Sequence, residues 1–144
     1  MSTTLANKIM FLLVTKKIDF STDEFRIILM AEGFVFNRVS HQGYADVSEY
    51  ELPTGNGYIQ NTKVLTGVVV TENDTDNRTE ISWNNASWAA SGGSIGPVVG
   101  AIILDSTITT PVANAIVGYV DFGEAQTQAD GGIATIANIE FWLS

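Results

Sequence analysis

The chain contains no cysteine, three prolines, one histidine and only seven basic residues among its 144. Without thiols there are neither disulfides nor thiolate metal sites, so stability has to come from packing, β-pairing and subunit contacts. Such a chain suits synthesis in a reducing cytoplasm. The basic residues Lys8, Lys16, Lys17, Arg26, Arg38, Lys63 and Arg78 are scattered, and sixteen acidic residues bring the net charge to -9. That distribution argues against nucleic-acid binding, which needs grouped cations to neutralise phosphates. The acidity favours solubility and complements a basic partner surface.

An apolar run near the N-terminus, 9–14, is far shorter than the ~20 residues that span a bilayer. It is followed by Lys16 and Lys17 and by no small-residue cleavage site. Neither a signal peptide nor a membrane anchor is expected. Charged residues make up 16% of the chain and apolar ones 45%, against about 25% charged in an average soluble domain. The surface is therefore covered by Ser, Thr, Asn, Gln and Gly, or partly hidden by neighbouring subunits.

The length fits one domain over residues 1–144. Thr3 or Thr4 can cap an amphipathic helix over about residues 4–17, with Leu5, Ile9, Leu12 and Leu13 at spacings of three to four and Lys16 and Lys17 at its C-terminal end. Such a helix either docks a partner or covers one end of a β core, and we adopt the second reading. Residues 25–30 predict a central strand, whereas 32–49 has a weak polar pattern that predicts a long loop of the kind ordered by partners. Residues 53–58 carry turn chemistry. Residues 64–71 and 79–83 predict an antiparallel hairpin across the polar stretch 72–78, with Thr79, Ile81 and Trp83 on one face. The stretch 84–90 reads as a turn leading into a further strand, a break follows at 92–94, and 98–104, 115–121 and 133–143 predict three more strands. The sum is a mainly β, α+β fold: an antiparallel β-sandwich-like domain of about seven strands with one N-terminal helix.

No residues assemble into a recognisable reactive motif. His41 lies in a polar stretch without a triad arrangement about it. Asp74 and Asp76, with Asn73, Asn77 and Glu80, resemble part of an oxygen-ligand loop, but Arg78 stands among them and a solvated turn is the better reading. Asp46, Glu49 and Glu51 could supply a glycosidase pair, although one acidic cluster among sixteen carboxylates is unremarkable. Asp121 sits where a carboxylate bonds turn amides. Three glycosylation sequons, beginning at Asn73, Asn77 and Asn85, carry no weight without secretion. Gly92-Gly93-Ser94-Ile95-Gly96 lacks the lysine of a phosphate loop. Trp83, Trp88 and Trp142 could form a sugar platform but serve better as core or interface anchors. No catalytic residue, metal ligand or cofactor is expected.

Several segments, taken in order, carry a resemblance: Lys16-Lys17-Ile18-Asp19-Phe20 with Phe25-Arg26-Ile27-Ile28-Leu29, Gly55-Asn56-Gly57-Tyr58, Asn77-Arg78-Thr79-Glu80-Ile81, Trp83-Asn84-Asn85-Ala86 and Gly118-Tyr119-Val120-Asp121-Phe122-Gly123. Through these the chain resembles a family of small structural proteins of tailed bacteriophages. It departs from that pattern at 37–48, so no interface is carried over there. The resemblance implies a virion component made in the bacterial cytoplasm, without enzymatic activity. Our expectation is a capsid decoration, or cement, protein, a homotrimer whose partners are the major capsid protein and its own copies. A tail, neck or fibre-associated protein and a carbohydrate-binding virion module are the alternatives.

Overall fold

The computed structural model describes residues 1–144. Ten strands, β1 (Ser2–Leu5), β2 (Phe25–Ala31), β3 (Lys63–Leu65), β4 (Val69–Asn73), β5 (Arg78–Trp83), β6 (Ala86–Ala89), β7 (Ile95–Asp105), β8 (Ala115–Gln128), β9 (Ile133–Ile136) and β10 (Ile139–Leu143), accompany two helices, α1 (Asn7–Val14) and α2 (Tyr44–Val47). The strands form three antiparallel sheets, ordered β1-β8-β7-β2-β3, β10-β5-β4 and β6-β9. The mainly β, α+β expectation holds, with ten strands where about seven were expected and a second short helix.

The five-stranded sheet is apolar on both faces. In β2, Phe25, Ile27 and Leu29 enter one core while Ile28 and Met30 enter another, and in β7 Ala101 and Ile103 oppose Ile102 and Leu104 in the same way. Period-two alternation sends successive side chains to opposite faces, so an unbroken apolar run marks a strand covered on both sides. The larger core lies between this sheet and Ile81, Trp83, Phe141, Trp88 and Ile136 of the two smaller sheets, with Ile9 and Leu12 of α1. Trp83 meets the Phe25 ring edge-on at 5.3 Å and the Phe141 ring at 6.3 Å.

The second face is covered by residues 34–50. Phe34 and Val47 are buried there, and Phe34 packs on Tyr119 at 5.5 Å and beside Tyr50 at 5.7 Å. The segment expected to be a loop ordered by partners is thus ordered by its own sheet. It contains α2 and a 3-10 turn, Ser48–Tyr50.

Three predicted elements differ from expectation in their boundaries. The helix predicted over 4–17 is shorter, because Thr3, Thr4 and Leu5 pair as a strand with Val120, Tyr119 and Gly118. A sheet edge supplies backbone partners that β-branched Thr accepts more readily than a helical turn. At the other end, Lys16 has φ of 59° and Lys17 donates its N–H to the Leu12 carbonyl, closing α1 before both lysines. The strand predicted over 64–71 divides at Gly67, where φ is 67° and Asn84 donates its N–H to the Thr66 carbonyl. Its halves join different sheets. The strand predicted over 133–143 divides similarly at Asn138, with φ of 56°.

Gly118 of β8 lies against the Phe141 ring and the Thr4 carbonyl, and a Cβ there would overlap both. Gly118→Ala is expected to lower the unfolding free energy by about 1–3 kcal/mol, read from the urea midpoint, as overpacking does elsewhere. An unchanged midpoint would contradict so close an approach of β1, β8 and β10.

Candidate functional site

The carboxylates grouped by the sequence have separate tasks. Asp46 accepts the Gln42 and Gly43 N–H groups at 3.0 and 3.1 Å and so holds the start of α2. Glu49 is exposed. Glu51 is only 2% exposed and anchors a polar network inside the apolar layer. Its Oε1 accepts the Tyr44 hydroxyl at 2.5 Å, and its Oε2 accepts the Tyr58 hydroxyl at 2.6 Å and the Asn61 N–H at 2.8 Å.

This network completes an edge of the main sheet. Strand β3 pairs with residues 25–27 and stops. Beyond it, the Leu29 N–H donates to the Tyr58 hydroxyl at 2.9 Å, and the Leu29 carbonyl accepts the Leu52 N–H at 2.8 Å. Tyr58 therefore stands in for a missing ladder partner, while Glu51 fixes the direction of its hydroxyl proton. Burial, followed by the bond to Glu51, pushes the Tyr44 phenol up from 10.0 to about 12. The same causes raise Tyr58 further.

The other polar candidates are also held within the fold. His41 accepts the Asn37 N–H on Nδ1 at 3.0 Å and stacks on Phe34 at 5.4 Å. In the β4–β5 hairpin, Arg78 donates to Glu80 at 2.7 Å and lies 3.6 Å from Asp76, while Asn73 bonds both carboxylates. The two hydrogen bonds from Asn73 and Arg78 hold Glu80 below the usual carboxylate range. Asp121 accepts the Gly123 N–H at 2.8 Å. Gly93, in the glycine-rich break, packs against the Asn56 side chain.

The three tryptophans do not form one platform. Trp83 and Trp88 are buried, Trp88 beside Tyr58 at 5.9 Å, whereas Trp142 is half exposed. The Arg78 guanidinium lies 3.5 Å from the Trp142 ring centre and the indole N–H donates to Glu140. A cation thus occupies one face of the one outward-facing indole.

The features directed outward are apolar. On α1, Met10, Phe11 and Val14 face solvent, and Val35 and Val39 do so on the segment covering the second face. Strand β4 is the outer member of its sheet, paired only with β5. Its Val69 and Val70 are 54% and 52% exposed although neighbouring side chains in a strand point to opposite faces. The strand is therefore open on both faces and along one edge, and Glu72 is its single charge. An unpaired, apolar edge of this kind is a template for another strand. Elsewhere, an open groove of about 420 Å³ runs between the far ends of β7 and β8 and the β6-β9 ribbon, walled by Leu29, Trp88, Ile95, Val98, Phe122 and Ile136. Sequence alone offers the N-terminal helix and 32–49 as partner contacts, but not the β4 edge or the groove, because exposure of a valine is decided by its neighbours across the sheet.

No protein-family model, curated protein or solved structure matches the chain.

Tyr58→Phe removes one donor from Glu51 and the acceptor of the Leu29 N–H, and is expected to cost about 2–4 kcal/mol in a urea titration. Tyr44→Phe is expected to cost about 1 kcal/mol, because its half-buried site lets water replace the hydroxyl. Equal costs would refute the edge-completing role of Tyr58. The raised Tyr44 phenol also has a sign for alkaline pH: a folded value above the unfolded one contributes stability up to pH 10.0, lost as pH rises to about 12. Loss of near-ultraviolet circular dichroism across that window, shifted to higher pH in Tyr44→Phe, is the expected observation.

Proposed function

We propose that the protein is a structural component of a tailed-phage particle, without enzymatic activity of its own, and that it works by packing against other protein copies. The observation that carries this reading is the open β4 edge, with Val69 and Val70 both exposed on a strand that has one paired neighbour. A subunit that ends its life in solution ordinarily blunts such an edge with lysine, proline or a bulge. Here the edge reads Val69-Val70-Thr71-Glu72-Asn73. The solvent-facing Met10, Phe11 and Val14 of α1 add a second apolar area.

The setting comes from the resemblance to small tailed-phage structural proteins. Within it we favour a capsid decoration protein that contacts the major capsid protein and its own copies and stabilises the lattice. The net charge of -9 keeps free subunits apart and soluble. Repetition on a lattice then turns modest contacts into firm attachment through multivalency.

Two measurements test the reading. Cryo-electron microscopy of purified particles with quantitative mass spectrometry is expected to find copies comparable in number to the major capsid protein, spread over the head. A few copies confined to the neck or tail would replace decoration by a tail role, and absence from particles would overturn the virion assignment. Separately, Val70→Lys at the exposed edge is expected to leave the far-ultraviolet circular dichroism unchanged and to reduce incorporation by roughly tenfold or more, since about 1.4 kcal/mol at one interface is a factor of ten. Full incorporation of that variant would remove β4 from the contact.

A further inference from the structure

Asp105 closes β7 at the heart of the molecule and is 0% exposed. Its Oδ1 accepts the Thr107 N–H at 2.9 Å and the Ile108 N–H at 3.3 Å, and its Oδ2 is buried with no N–H or O–H partner. The group within hydrogen-bonding reach of it is another carboxylate, Asp23. Asp23 belongs to the turn between α1 and β2 and accepts the Asp19 N–H on Oδ2 at 3.1 Å. That turn is stitched to the 105–108 turn by the residues that follow the pair. The Glu24 N–H donates to the Thr107 hydroxyl at 2.8 Å, the Ser106 N–H to the Glu24 carbonyl at 2.9 Å, and the Ser106 hydroxyl to the Glu24 carboxylate at 2.7 Å.

No cation answers the pair. Arg26, the nearest arginine along β2, donates to Glu24 at 3.0 Å and to the Asn61 carbonyl at 3.0 Å. Across the strands, Asp105 is flanked by Phe25 of β2 and Ala115 of β8. Asp23 is the one charged side chain acting on Asp105. Two carboxylates in contact with one of them buried cannot both stay ionised without a large cost, and one shared proton removes it.

We propose that Asp23 and Asp105 share a proton as a clasp between the 19–24 and 105–108 turns, and that loss of this proton loosens both turns. The clasp goes beyond the assembly reading and does not rest on it. A proton on Oδ2 of Asp105 turns the orphan oxygen into a donor toward Asp23, and its release to solvent leaves two negative charges facing each other. Loosening extends along the chain that follows. The Asn114 N–H donates to the Ile108 carbonyl, and the Asn114 carbonyl accepts the Tyr44 N–H of α2.

The direction with pH follows from the environment. Burial, then the bond to and charge of Asp23, push Asp105 up from 3.8 to about 8, against the pull of the Thr107 and Ile108 N–H groups. A folded value above the unfolded one contributes stability in full below 3.8 and loses it as pH rises to about 8.

The test uses the full chain. Carbon-detected NMR of the wild type is expected to show the Asp105 carboxyl titrating near neutral to mildly alkaline pH, with amide exchange at 19–25 and 105–109 quickening over the same range. Thermal unfolding from pH 5 to 9 is expected to show Asp105→Asn, which donates to Asp23 at every pH, gaining roughly 5 °C or more on the wild type between the two ends. Asp105 titrating in the ordinary carboxylate range, or a difference between the proteins that does not change with pH, would overturn the clasp. So would calcium chloride stabilising the wild type at pH 9 and not the variant, since a cation would then take the proton's place.

Discussion

The rest of the structure depends on one constraint: the middle of the five-stranded sheet is apolar on both faces. Ile27 and Ile28 point opposite ways, as do Ile102 and Ile103, and all four are buried. A sheet of this kind has no solvated side, so two covers are needed. The smaller sheets and α1 form one, and residues 34–50 form the other. Placement of nearly every peripheral element follows from that need. It also explains how so few charged residues suffice, since much of the backbone polarity is spent inside ladders.

A second consequence concerns the polar groups carried inward with the covers. The sheet is wider at residues 25–27 of β2 than at Leu29, because β3 has only three residues. The backbone left over is satisfied by side-chain chemistry, with Tyr58 supplying the acceptor and Glu51 orienting it. A buried carboxylate without a cation is tolerable when hydroxyl and amide donors fill its lone pairs, as Tyr44, Tyr58 and Asn61 do here. Glu51 is thus an architectural group, whereas its neighbours Asp46 and Glu49 stay at the surface.

What was legible in the sequence was local. The runs at 25–30, 98–104 and 115–121 are strands because their apolar density leaves no other state, and the polar stretch around Asp74 turns a hairpin as its composition indicates. What was hidden depends on distant partners. Thr3 and Thr4 suit a helix cap or a strand equally, and the free edge of β8 decides between them. Phe34, Phe36 and Tyr44 lie in a stretch that Asn37, Arg38, Ser40, His41 and Gln42 make polar, and it looks like a loop until the second sheet face collects them. Gly67 and Asn138 divide apparent single strands because each half finds a different sheet. Among sixteen carboxylates, nothing local singles out Glu51 and Asp105 as buried.

The pairing of β1 with β8 has an implication for how the chain is made. Ser2 lies opposite Asp121, so β1 leaves the ribosome well before its partner in β8. Until then the outer edge of the main sheet cannot close, and Ala6, Ile9 and Leu12 wait without the layers that bury them. Nascent chains emerge at about 5–20 residues per second, so this interval lasts seconds or longer. During it, the sparing use of apolar residues in 1–8 and the lysines at 8, 16 and 17 keep the exposed segment short and flanked by charge. Strand β1 thus acts as a late seal, closing the main sheet only once β8 has been synthesised.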